Sequence, residues 1–128
     1  MSCLYVAVSK ECQAAHGTNA IKIGFSTRGP EVRGSWLRRN GYGGFRDWKI
    51  VNNEWFTREG LSEDQLESVE QGVIGLLVEG GGKRPCPGAD EIVSVSRVEA
   101  IDALRWAKRK VTSGTWDFRR RDGRRGRE

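Results

Sequence analysis

Two spacings of apolar residues organise the chain. Residues 4–8 (LYVAV) and 20–26 (AIKIGFS) are short β-prone runs and predict the first two strands. Sequential strands usually lie side by side, so a hairpin between them is the simplest expectation. Residues 10–19 (KECQAAHGTN) follow neither spacing and read as a loop. Gly29-Pro30 marks a helix start with Pro30 at the first helical position, and Asn40-Gly41 marks its stop, which predicts a first helix over about 30–39. Residues 45–56 carry Trp48, Ile50 and Val51 and predict a third strand. Ser62-Glu63-Asp64-Gln65 has the form of a capping box opening a second helix that ends at Gly80-Gly81-Gly82. Residues 92–95 form a short strand or extended piece. A second capping box, Ser96-Arg97-Val98-Glu99, opens a third helix to about Lys110.

The second helix carries a departure from its own pattern. With about 100° per residue and Leu66 as origin, Val69, Val73, Ile74, Leu76 and Leu77 fall within about 80° either side and form a core stripe. Glu70 falls inside that stripe at about 40°, and Glu67 sits at its edge near 100°. A carboxylate held against a core without a partner costs several kcal/mol. Glu70 therefore calls for a divalent cation, for Arg33 or Lys22 as an ion-pair partner, or for a route to solvent.

Length and charge narrow the class. A chain of 128 residues suits one domain, residues 1–110, followed by a basic, flexible C-terminal tail, residues 111–128. No run approaches a membrane span and the N-terminal residues lack the features of a signal peptide, so a cytoplasmic protein is expected. Cys3, Cys12 and Cys86 match no zinc spacing and, being three, no disulfide framework, which fits a reducing compartment. The net charge of +5 is concentrated in two places. Residues 108–128 hold nine Lys/Arg against three acids, and residues 22–49 hold seven against two. Such segments can follow a phosphate backbone, although a terminal run like RRRDGRRGR also serves as a solubilising tail.

Several chemistries drop out. His16, the one histidine, lies in the loop expected at 10–19, which removes mechanisms that need a histidine pair or a Ser-His-Asp set. The turn GFSTRG lacks the ending of a phosphate-cradling loop, and the remaining glycines do not follow a strand into a helix in the dinucleotide pattern. Trp36, Trp48 and Trp106 lie in elements expected to pack the core, whereas Trp55 is less constrained and Trp116, in the basic tail, is the better candidate for a base or partner contact.

Taken together, Cys3-Leu4-Tyr5 in the first strand, Lys22-Ile23-Gly24 in the second, Arg33 nine positions after that glycine, and Glu70 followed by Val73-Ile74 resemble the GIY-YIG nuclease superfamily. The likeness is to its small phage and mobile-element branch, whose second motif often reads KIG and whose later segment is similar to residues 90–104 (DEIVSVSRVEAIDAL). Cys3 stands where glycine is usual, and Lys22 where the second tyrosine is.

The resemblance implies a compact α/β (α+β) fold with a small, mainly antiparallel three-stranded sheet flanked by helices. It also implies roles. Tyr5 would orient or deprotonate the attacking water, Lys22 would take the place of the second tyrosine, Arg33 would hold the scissile phosphate, and Glu70 would bind one divalent metal, magnesium or manganese. The implied activity is endonucleolytic hydrolysis of DNA, with Arg28, Arg38, Arg39, Arg119, Arg120, Arg121, Arg124 and Arg125 adding phosphate affinity and a protein partner supplying specificity. The alternative is a domain of this type that has lost cleavage and binds nucleic acid or protein as an accessory module.

Overall fold

The computed structural model describes residues 1–118. It is an α+β fold with one four-stranded, wholly antiparallel sheet, where three strands were expected. The strands are β1 (Cys3–Val8), β2 (Ala20–Ser26), β3 (Lys49–Trp55) and β4 (Ile92–Ser94), in the spatial order β3-β1-β2-β4. The extra strand is the extended piece at 92–94, only three residues long, whose pairing places Ala20 opposite Ser94 and Lys22 opposite Ile92. So short a run carries no periodicity of its own, and it is a strand because β2 offers it an edge.

Four helices cover the sheet among the described residues: α1 (Lys10–His16), α2 (Pro30–Asn40), α3 (Glu63–Glu79) and α4 (Arg97–Thr112). Both predicted capping boxes are formed, Ser62 with Gln65 and Ser96 with Glu99. Helix α1 replaces the expected loop. Only Cys12 of its residues is buried, so no apolar stripe announces it. Its start is held by Ser9, whose hydroxyl accepts from the Cys12 N–H at 2.9 Å, and by Asp47, which takes the Ser9 hydroxyl and the Glu11 N–H. Asp47 lies 38 residues away from Ser9, which hides the cap from any local reading.

Alternation along the strands splits the core in two. Leu4, Val6, Ile21 and Ile23 point to one face, where α3 and α4 close over them with Leu66, Val69, Val73, Ile74 and Leu104. Tyr5, Ala7 and Ala20 point to the other, packed with Leu37 of α2, Cys12 of α1, and Trp48. The chain behind α4 folds back. Trp116 meets Trp106 edge to face at 5.4 Å between centroids and lies over Gly72, where an added Cβ would stand 2.4 Å from the ring. Trp116, expected to be open to a partner, is thus partly buried packing. Leu76 is exposed although it lies at the rim of the expected stripe. No helix among the described residues is long and apolar enough to cross a membrane.

An ion pair ties α4 to the turn after β3. Lys108 donates to the Trp55 carbonyl and to Glu59 at 3.1 Å, and Thr112 donates to the second Glu59 oxygen at 3.1 Å. Burial alone would raise the Glu59 carboxyl, but these hydrogen bonds and the Lys108 charge hold it below its ordinary value of 4.5. A carboxyl depressed on folding stabilises the protein above its unfolded pKa, and the contribution is lost as pH falls through the folded one. Glu59→Gln is expected to cost about 1 kcal/mol at neutral pH, roughly 3–5 °C in melting temperature. In thermal denaturation the difference from the parent should close as the pH falls below the ordinary carboxylate range.

Candidate active site

Three of the four side chains singled out in the sequence share the α2 side of the sheet. Tyr5 sits in the central strand directly opposite Gly24 of β2, and Lys22 lies two residues earlier on the same face. The Tyr5 ring leans across β2 over Gly24. A Cβ at position 24 would stand 2.4 Å from Tyr5 Cζ and Oη and 2.7 Å from Lys22 Nζ. Glycine is therefore required by close approach, which explains the KIG spacing physically: the lysine and the phenol meet above a residue that has no side chain.

Lys22 is almost fully buried, at 3% exposure, and its ammonium is surrounded. Nζ donates to Tyr5 Oη at 2.8 Å and to Glu91 Oε1 at 2.7 Å, and it stands 4.8 Å from the Tyr5 ring centroid and 4.7 Å from that of Tyr42. Burial pushes the ammonium pKa down, but Tyr5 and Glu91, through charge and hydrogen bonding, more than reverse this and raise it. An ammonium has no lone pair, so Tyr5 Oη must be the acceptor, and the phenol's own proton is left to point elsewhere. Burial raises the Tyr5 pKa, and the facing Lys22 offsets this only in part. At neutral pH the pair is ammonium and neutral phenol.

Tyr42 and Glu91 complete the cage, and neither was singled out from the sequence. The Glu91 backbone N–H donates to Tyr42 Oη at 3.0 Å, and burial, with the nearby Glu91 charge, pushes the Tyr42 phenol up to about 12. Tyr42 is delivered by a tight turn through Gly43 and Gly44, both at positive φ, and by a bond from Trp48 Nε1 to its carbonyl at 3.1 Å. The one signal for Glu91 was its place in residues 90–104.

Arg33 enters from the first turns of α2. Its positive charge acts on both Tyr5 and Cys3, lowering their pKa values against burial, and its guanidinium carbon lies 5.0 Å from the Trp36 ring centroid. Trp36 is a correction: expected in the core, it is 42% exposed, because Gly34 and Leu37 are the buried positions of α2. Asn53, directly opposite Tyr5 on β3, lines an open groove of about 420 Å³ between α2 and β3, together with Arg38 and Lys49. Arg28 and Arg39 are exposed. Arg119, Arg120, Arg121, Arg124 and Arg125 lie outside the described residues.

Glu70 is buried as its place in the stripe implied, at 1% exposure, and Gln71 Nε2 donates to its Oε1 at 3.1 Å. Its charge adds to the rise of the Tyr42 pKa, but α3 packs the face of the sheet opposite the one that carries Tyr5 and Lys22. Lys22, one of the two bases considered for it, is paired with Glu91. Among the described residues no three His, Cys, Asp or Glu side chains gather in a way that could hold a metal. A divalent ion here would rest on the single Glu70 carboxylate and on substrate and water oxygens, a ligand set that suits magnesium.

No family model matches this chain, and the searches of curated proteins and of solved structures return no match.

The glycine at the centre is testable. Gly24→Ala should destabilise the protein by about 1–3 kcal/mol in urea unfolding, as overpacking does. In a Tyr5→Ala background, where the ring is gone, the same change should cost clearly less. Equal penalties in both backgrounds would mean that the ring does not lie over residue 24.

Proposed function

We propose that this protein is a metal-dependent endonuclease of the GIY-YIG type that hydrolyses phosphodiester bonds of DNA. The observation that carries the reading is the buried Lys22 ammonium hydrogen-bonded to Tyr5 over Gly24. Phosphodiester hydrolysis needs an oriented nucleophile, positive charge on the phosphate oxygens and relief of charge at the leaving oxygen. Tyr5 holds the attacking water and accepts its proton once the phenol has ionised. Lys22, fixed as an ammonium, makes that ionisation less costly. Arg33 binds a non-bridging phosphate oxygen and is steadied by its stacking on Trp36. Glu70 would hold a magnesium ion, which supplies Lewis-acid charge to the phosphate when bound. The three free thiols suit a reducing cytoplasm, and a phage or mobile-element setting follows from the same resemblance.

Purified protein incubated with supercoiled plasmid should nick it in magnesium or manganese and leave it intact in EDTA. Arg33→Ala and Glu70→Ala should each lower the single-turnover rate by about 100- to 1000-fold, the size of effect that follows loss of one group stabilising transition-state charge. Salt-sensitive binding with no nicking in either metal would assign the protein to the non-cleaving binding module instead.

The pH profile follows from Tyr5. Its pKa lies above the ordinary 10.0, so the ionised fraction, and with it the rate, should rise about tenfold per pH unit from about 7 to about 9.5. Tyr5→Phe should remove the slope as well as the activity. A flat profile in the parent would leave Tyr5 a neutral orienting group and not the base.

A further inference from the structure

The carbonyl, the amide and the carboxylate of Glu91 are all committed to the Lys22 site. Its carbonyl accepts from the Ile23 N–H at 2.9 Å, which fixes the backbone beside β2 one residue along from Lys22. Its own N–H donates to Tyr42 Oη at 3.0 Å, and Oε1 accepts from Lys22 Nζ at 2.7 Å. The first two links are made by the main chain, so they do not depend on the side chain at 91. Neighbouring residues close the same junction: a Cβ at Gly43, next to Tyr42, would stand 2.7 Å from Ile92 Cδ1 and 3.4 Å from Ala89 Cβ.

That placement isolates what the carboxylate does. The groups facing the buried amine are Tyr5 from β1, Tyr42 from the loop after α2 and Glu91 from the segment before β4. Both phenols are neutral at neutral pH, because burial raises each of them, and the Arg33 charge acts on Tyr5 without reversing this. Glu91 therefore brings the negative charge that faces the amine. A lysine at 3% exposure without such a charge beside it sheds its proton more readily. The hydrogen bond to Tyr5 then loses its direction. An ammonium can only donate, which leaves Tyr5 Oη as acceptor and its O–H free, whereas a neutral amine can take that O–H itself.

We propose that Glu91 is a positioning residue: its carboxylate keeps Lys22 charged and so fixes the polarity of the Lys22–Tyr5 hydrogen bond, leaving the phenol's proton turned away from the amine. The consequence for cleavage rests on the nuclease reading above, and the role in the Lys22–Tyr5 pair does not. At 25% exposure the Glu91 side chain still meets water, which limits the cost of keeping its charge.

The full-length protein labelled with 15N-lysine reports the Lys22 amine directly, its signal being the one missing in Lys22→Met. In the parent Lys22 should stay charged across the alkaline range that the fold survives. Glu91→Gln keeps the side-chain length and both main-chain links, and in it Lys22 should lose its proton about 1–3 pH units earlier. Glu91→Asp, with the charge drawn back by one methylene, should fall between the two. In single-turnover nicking the rise of rate with pH should level off earlier in Glu91→Gln, since the first proton lost is then shared between Lys22 and Tyr5. Each pH unit of earlier levelling should lower the rate at about pH 9.5 by about tenfold.

An unmoved Lys22 titration in Glu91→Gln overturns the proposal whatever the cleavage data show. A shifted titration with an unchanged pH–rate profile also overturns it, for Glu91 would then be a structural ion-pair residue only. A shifted titration in a protein that nicks DNA in neither metal removes the nuclease and leaves Glu91 as the residue that fixes the pair. If Glu91→Gln does not fold, Glu91→Asp decides by the same measurements.

Discussion

A charged amine held at 3% exposure organises this molecule. Removing an ammonium from water is expensive, and the cost is recovered only where the surrounding groups satisfy its hydrogens in good geometry. Lys22 finds that geometry by drawing on three separate parts of the chain: Tyr5 from the central strand, Glu91 from the segment just before β4, and the Tyr42 ring from the loop after α2. Glu91 is still 25% exposed, so the ion pair is open to water on one side and is not a sealed core interaction. Each partner brings its own constraint. Tyr42 is itself bonded to the Glu91 backbone, so the two loops are held to one another as well as to the amine.

The same arrangement accounts for the asymmetry between the two faces of the sheet. One face is an apolar interior under α3 and α4. The other carries Tyr5, Gly24 and Lys22 in adjoining positions and is covered by shorter elements, α1 and α2, that bury few residues of their own. Helix α2 offers Leu37 and Gly34 to the sheet and leaves Arg33, Trp36, Arg38 and Arg39 on its sides and outer surface. A helix that contributes so little to the core is free to present basic and aromatic groups. The surface that results is basic and partly aromatic, whereas the α3–α4 side is the larger apolar core.

Much of this was legible in the order of residues. The two capping boxes, the proline at the start of α2 and the alternation of β1 and β2 are written within a few positions of the elements they form, because hydrogen bonds to neighbouring backbone groups and the two-residue strand period are local effects. The placement of Glu70 among apolar positions followed from helical geometry alone. The adjacency of Lys22 and Gly24 has a packing reason, since the Tyr5 phenol and the Lys22 ammonium fill the space that a side chain at residue 24 would need.

What only the tertiary structure decided depends on contacts between distant segments. Helix α1 exists through Asp47, and β4 through the free edge of β2. Trp36 and Trp116 exchanged their expected places, one outward on a helix whose buried positions lie elsewhere and the other inward over Gly72. Tyr42 and Glu91, separated by 49 positions, became partners of Lys22. Periodicity assigns a residue to a face, but it carries no information about which element covers that face. By itself the order of residues determined the local elements and the chemistry available; the pairing of strands and the closing of loops around one buried charge determined which of those groups meet.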